Sequence, residues 1–239
     1  TADNLVVVFA GNVKEDLAIA FSEKFFGSLD GSKKREFPAF TEFGDKRVHL
    51  QTKKTEQSHI VLGVPGVSSQ HEDHFAHKIL SIILGGSMSS RMFLNIREAR
   101  GLCYYISTET DNYMDAGALT TRAGVDQSRL VEAIEAIKHE YLTCAKDGIT
   151  EEELQRAKDY FKGKMILSLE DSEECAHYYG RQELLYPKTR DVDEYFAEID
   201  SVTKERVDAL AAKLLRPENL RLVVIGPEDD KAKLEKLLI

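Results

Sequence analysis

The chain has 239 residues, 42% of them hydrophobic and 31% charged, which is the make-up of an ordinary folded protein with room for one large domain, or one domain and part of another. A formal net charge of −9 argues against nucleic acid as a partner, because phosphate contacts need clustered Lys and Arg. No apolar run approaches the roughly 18 residues that span a bilayer, and three cysteines (Cys103, Cys144, Cys175) without a C-x-x-C pair give neither a disulfide framework nor a cysteine zinc site.

Residues 5–10 (LVVVFA) are apolar and β-branched and stop at Gly11, which predicts a buried strand. Residues 15–26 have helical spacing and stop at Gly27. The polar stretch 28–45, rich in Gly, Lys and Asp, predicts a linker. Strands are expected over 47–52 and 58–64. An apolar helix follows over 72–84, Gly85-Gly86 interrupt it, and a second helix over 87–100 carries Met88, Met92, Phe93 and Ile96 on one side before Gly101 ends it. Residues 103–110 and 116–124 read as strands around the turn 112–115. A long amphipathic helix is expected over 127–145. Thr150 opens the next helix with a capping box, its hydroxyl accepting from the third helical N–H while Glu153 reaches back to the Thr150 N–H. Helices over 172–185, 191–199 and 203–215 come next, the first two parted by Tyr186-Pro187. A strand over 220–225, Gly226-Pro227 and a short helix to Ile239 close the chain.

One repeat joins the two ends. Asn4-Leu5-Val6-Val7-Val8-Phe9-Ala10-Gly11 echoes Asn219-Leu220-Arg221-Leu222-Val223-Val224-Ile225-Gly226, and an acidic amphipathic helix follows each copy. Two readings stand. Strand-Gly-helix units are common enough to resemble each other, or a domain of roughly 200 residues has been duplicated. On the second reading the chain opens inside the closing strand of one copy and contains the whole of the next.

Metal chemistry has one candidate segment. His71, His74 and His77 recur at three-residue steps and share a face if helical. Zinc peptidases place two His around a Glu as H-E-x-x-H or H-x-x-E-H, and neither string occurs here. The three are therefore expected to form an exposed polar helix start, with a stand-alone zinc hydrolase as the sharper alternative. His49, His59, His139 and His177 are isolated and receive no role. There is no G-x-S-x-G elbow and no phosphate loop.

The stretch 84–105 (LGGSMSSRMFLNIREARGLCYY) resembles the signature of the C-terminal homologous domain of the pitrilysin/insulinase zinc peptidases, which include the mitochondrial processing peptidases. That signature runs close to L-G-G-x-M-S-S-R-L-F-x-x-I-R-E-x-x-G-L-x-Y. Leu84, Gly85, Gly86, Met88, Ser89, Ser90, Arg91, Phe93, Ile96, Arg97, Glu98, Gly101, Leu102 and Tyr104 match in register. The segment 4–27 is similar to the strand and helix that close the family's first domain, and 46–239 resembles its second. The resemblance implies an α+β fold with a mostly antiparallel sheet packed on one face by helices. It implies three segments: 1–30 from a truncated preceding domain, 31–45 as linker, and 46–239 as the C-terminal substrate-binding domain.

Family members face two such domains like a clamshell. The first carries H-x-x-E-H with a distal Glu and binds zinc; the second lends an Arg and a Tyr seven residues apart, a spacing met here by Arg97 and Tyr104. The implied function is the zinc-free, substrate-binding half of a metalloendopeptidase acting on peptides or unfolded segments and inactive alone. No cofactor is expected in this chain, with zinc in a missing N-terminal half or partner subunit. The implied partners are that zinc-bearing half and a peptide, with no nucleic acid and no membrane, in the cytoplasm. A non-catalytic structural or partner subunit of the same fold is the alternative. Arg97 paired with Glu98 or a surface acid, and Tyr104 packed in a sheet, is the plainer reading of the two site residues. Arg91 is expected to support the helix joint, Arg100 to cap the carbonyls before Gly101, and Tyr105 to face the core, opposite Tyr104.

Overall fold

A computed structural model describes residues 2–31, 37–186 and 188–239. Part of the expected linker and the breaker Pro187 therefore lie outside the described residues. The chain folds as two compact units, 1–39 with 162–197, and 40–161 with 198–239.

The larger unit is built on five strands, β1 (Val48–Thr52), β2 (Gln57–Pro65), β3 (Cys103–Asn112), β4 (Gly117–Asp126) and β5 (Arg221–Gly226), in the order β1-β5-β2-β4-β3. Only β1 and β5 run parallel; every other pair is antiparallel. The sheet is two-faced, as alternation requires. Ser58, Ile60, Leu62 and Val64 of β2 point the same way as Leu119, Thr121, Ala123 and Val125 of β4 and Leu222 and Val224 of β5, and all are buried. Burial of each such Leu or Ile contributes roughly 1.5–3 kcal/mol. The opposite face carries His59, Val61, Glu109, Arg122 and Val223, with Arg122 close to Glu109 and Asp111 at 3.8 and 4.0 Å.

Helix α3 (Leu130–Asp147) covers the apolar face through Leu130, Ala133, Ile134, Ile137 and Tyr141. Tyr141 is fully buried and donates to the Leu62 carbonyl at 3.3 Å. Its hydroxyl lies 2.7 Å from that of Thr121, itself 2.7 Å from Thr108. This chain of hydroxyls satisfies three polar groups inside the core and ties β3, β4 and α3 together. The helix α2 (His74–Ser81) and a helix near the C-terminus, Lys204–Leu214, pack on each other, and the latter also packs on α3. The helix opened by Thr150, Glu151–Leu169, has the expected capping box, with Glu153 N–H donating to Thr150 Oγ1 at 3.1 Å and Thr150 N–H to Glu153 Oε2 at 2.8 Å.

The smaller unit contains α1 (Glu15–Phe26) and the helix Ser172–Leu185, both as expected. Buried Gln182 holds the chain before the helix Val192–Asp200 by donating to the Arg190 carbonyl and accepting from the Arg190 N–H. One expectation fails here. Residues 5–10 form no ladder among the described residues, and Leu5, Val7 and Phe9 are each about 40% exposed. The β-branched run supplies strand propensity, yet a strand exists only where a neighbour pairs with it. Local form still repeats between the two ends: a 3-10 turn over Ala2–Asn4 precedes this segment, and another over Pro217–Asn219 precedes β5.

Two helices also differ in kind from expectation. The one predicted over 72–84 is α2 followed by a π-helical turn, Ile82–Gly86, and the one over 87–100 contains a second, Phe93–Glu98. Gly85 sits against β3, where a Cβ would collide with Thr108 Oγ1 and approach the Thr108 nitrogen to 2.6 Å. That close approach, and not flexibility, is what this glycine provides.

Candidate functional site

The signature stretch builds a joint from the first π-helical turn to the start of β3. Ser90 is buried and closes the turn by donating its hydroxyl to the Ser87 carbonyl at 2.6 Å. Arg91 then grips Glu153 with two parallel hydrogen bonds, Nε to Oε1 at 2.6 Å and Nη2 to Oε2 at 2.7 Å, and donates to the Gly148 carbonyl at 2.9 Å. Glu153 is the same carboxylate that closes the Thr150 capping box. Burial works against its charge, yet hydrogen bonds from Arg91 and Thr150 hold it below the usual carboxylate range. Arg91 thus supports the joint, as expected.

Arg97 follows on the second π-helical turn. It is exposed, and its guanidinium carbon stacks 4.9 Å from the Phe93 ring centroid. Among the described residues no carboxylate lies within ion-pair distance of it, so the plainer pairing with Glu98 is not formed. The turn ends on Gly101, in the left-handed region at φ 57, with Gly101 N–H donating to the Arg97 carbonyl and Leu102 N–H to that of Ile96. Buried Ile96 and Leu102 fix this end on the core. Arg100 does not cap it: Arg100 points to Glu132, and Arg129 Nη1 donates to the carbonyls of Arg100 and Gly101, both at 3.2 Å.

The strand that follows begins with a β-bulge. Cys103 pairs with Val125 and Tyr105 with Gly124, so Tyr104 is the extra residue. The bulge breaks alternation, and this corrects the expectation for Tyr105. Tyr104 is 59% exposed and Tyr105 42%, so neither is core. The Tyr105 ring lies over Gly124, where any Cβ would strike it, and its hydroxyl is 3.1 Å from His59 Nδ1. His59 has no signal in the sequence beyond an outward position on β2. Cys103, between the two elements, is buried, which pushes its thiol up, while the nearby Arg97 charge pulls the other way.

The three spaced histidines do not converge. His71 Nδ1 accepts from the Asp73 N–H at 2.9 Å. His74 and His77 are buried, contrary to the exposed start expected, because α2 turns its first face into the core. His77 sits against Gly66, its Nδ1 3.2 Å from Asn112 Nδ2 and its Nε2 without a partner. Burial first, then the neighbouring His71 and Lys78 charges, lowers its pKa to about 4. Among the described residues no group of three or more His, Cys, Asp or Glu could hold a metal ion. The stand-alone zinc hydrolase therefore finds no ligand cluster among the described residues. No helix among the described residues is long and apolar enough to cross a membrane.

The mostly antiparallel sheet with helices packed on it, and the joint leading into a bulged strand, define an α+β domain. Residues 1–161 match the family described as peptidase M16 inactive domain, and the chain belongs to that family. It is similar to the uncharacterized zinc protease YmxG of Bacillus subtilis, 36% identical over 95% of this chain and 55% of the relative. An uncharacterized zinc protease of Mycobacterium leprae is 36% identical over all of this chain and 54% of its own length. The chain therefore spans about half the length of the curated relatives it matches. Among solved structures, a peptidase M16 inactive domain from Pseudomonas fluorescens superposes with a TM-score of 0.80 at 19% identity, covering 92% of this chain and 53% of the other. A protease from Helicobacter pylori gives 0.79 at 19%, covering 91% and 54%. These two likenesses speak for the fold alone.

Proposed function

We propose that this chain is the zinc-free, substrate-gripping half of a two-half metalloendopeptidase that acts on peptides or unfolded segments in the cytoplasm. Zinc belongs to the other half on this reading, whether upstream in the same polypeptide or in a partner subunit. Residues 46–239 form the gripping domain, 31–45 the linker, and 1–30 the end of the preceding domain. The carrying observation is that Arg97 and Tyr104 are both exposed on either side of the Gly101 turn, and that a bulge turns Tyr104 out of the sheet. A guanidinium and a phenol are donors suited to a peptide carbonyl and to the charge that grows on its oxygen during cleavage.

The test is made in the complete enzyme. Arg97→Ala and Tyr104→Phe should each lower kcat/KM by about 100-fold or more with melting temperature unchanged, since both side chains are exposed. An unchanged kcat/KM would remove them from the mechanism. The second reading is a structural subunit of the same fold, which the description of the matching family as an inactive domain also suits. The sequence upstream separates the two: H-x-x-E-H with a downstream Glu supports the enzyme, and its absence from both that stretch and any partner supports the scaffold.

A further inference from the structure

On the face of the sheet opposite α3, one residue is buried among exposed neighbours. Gly124 of β4 points the same way as exposed Arg122, yet it is covered. What covers it is Tyr105. In register, Gly124 stands between His59 on β2 and Tyr105 on β3, so the three make one row across the sheet. A Cβ at position 124 would strike Tyr105 Cε1 and lie 3.0 Å from Cδ1, with Gln57 Oε1 at 3.3 Å. The Tyr105 ring therefore lies across the glycine. Its hydroxyl reaches His59 Nδ1 at 3.1 Å, and the two rings stack with centroids 6.3 Å apart and planes at 28°. An aromatic side chain laid over a cross-strand glycine fills the gap the glycine leaves and pins the register of the pair.

This clasp sits at the bulge. Cys103 is buried and Tyr105 faces out, although residues two apart on a regular strand share a face. Both conditions hold together because Tyr104 is inserted as the extra residue. We infer that Tyr105, held across Gly124 by His59, is a positioning residue for Tyr104: fixing Tyr105 on the open face fixes the bulge, and the bulge aims Tyr104. Two tyrosines in tandem make such a device necessary. Either offers the same ring to Gly124, and regular alternation after Cys103 would put Tyr104 there and send Tyr105 inward. With the ring of Tyr105 in that place, the phenol of Tyr104 stays free. Buried Ile106 and Thr108 follow in the inward phase opposite Ala123 and Thr121 and hold the rest of β3 in step. The inference rests on the reading of Tyr104 as a substrate contact and adds what holds it there.

The test uses the complete enzyme and two readouts. Tyr105→Ala should lower kcat by about 10-fold or more and change KM by less than about 2-fold, because a misplaced donor to transition-state charge acts on kcat. Gly124→Ala should do the same with both tyrosines present, since its methyl displaces the Tyr105 ring. In a Tyr104→Phe background neither substitution should lower kcat by more than about 2-fold further, because their effect passes through the Tyr104 hydroxyl. Where Tyr104→Phe itself lowers kcat, a full further loss in that background, or no loss from Tyr105→Ala alone, overturns the inference. The second readout needs no activity. With 3-fluorotyrosine incorporated, the fluorine line that vanishes in Tyr104→Phe belongs to Tyr104. Its transverse relaxation rate should fall by about half in Tyr105→Ala and in Gly124→Ala, as the released ring samples more orientations. An unchanged rate in both overturns the inference whatever the enzyme's activity. A Tyr104→Phe enzyme of native kcat/KM whose relaxation data follow this pattern removes Tyr104 from substrate binding and leaves the clasp standing.

Discussion

Arg91 and His77 show how far single residues here depend on what surrounds them. Arg91 and Glu153 are 16% and 15% exposed at their side chains, and Arg91→Ala leaves a carboxylate with little solvent and one cap hydrogen bond pair. A loss of about 2–3 kcal/mol is expected in urea unfolding, below the full penalty of a deeply buried pair. Because Glu153 is held below its unfolded value, its contribution is present above the usual carboxylate range and lost as pH falls through its lowered folded pKa. His77 acts in a higher window. Its pKa is 6.5 unfolded and about 4 folded, so between these values the unfolded chain binds the extra proton. Stability should decline as pH falls from about 6.5 to about 4 and then level, by at most about 3 kcal/mol. Urea midpoints measured across that window should flatten in His77→Gln; an unchanged slope would assign the effect elsewhere. Sequence spacing placed this histidine on an exposed helix start, because three-residue steps do not say which side of a helix is buried.

At the scale of elements, the joint between α2 and β3 is the informative piece. Its signature residues divide the work: Gly85 and Ser90 pack, Arg91 ties the joint to the capping box, Ile96 and Leu102 anchor the turn, and Arg97 and Tyr104 face out. Gly85→Ala should cost about 1–3 kcal/mol, because its methyl meets the Thr108 backbone and hydroxyl. Gly86→Ala should cost less, its nearest neighbour being the Ile82 side chain at 3.2 Å. Comparing the two by denaturant midpoint separates close packing from helix propensity, which the substitutions share. The capping box at Thr150 and most helix limits were legible because caps and stops are local chemistry. The bulge at Tyr104 was not. An extra residue in one strand is visible only against the register of its partner, and without it alternation sends Tyr105 inward.

For the whole molecule, the absence of a metal cluster among the described residues gives a direct expectation. This chain, equilibrated with zinc and then desalted, should retain well under one zinc per chain by elemental analysis; a stoichiometric value would return the His71, His74 and His77 segment to consideration. The division into two compact units joins residues 162–197 to 1–39. No composition shift in the sequence announces that association, since it is made between segments far apart along the chain.

The sequence by itself determined the family signature and the helix caps, because each is carried by residues close in the chain, and the resemblance that signature carries implied the class of fold and the two donors worth testing. Only the tertiary structure decided which side of a pattern is covered. It put His77 in the core, brought Tyr105 out to His59, set Gly85 against a strand, and left the apolar run 5–10 without a ladder. The question of metal, raised by missing strings, became a statement about space: no three ligands among the described residues come together. Burial and pairing are properties of neighbours, and neighbours distant in sequence are what the order of residues alone does not state.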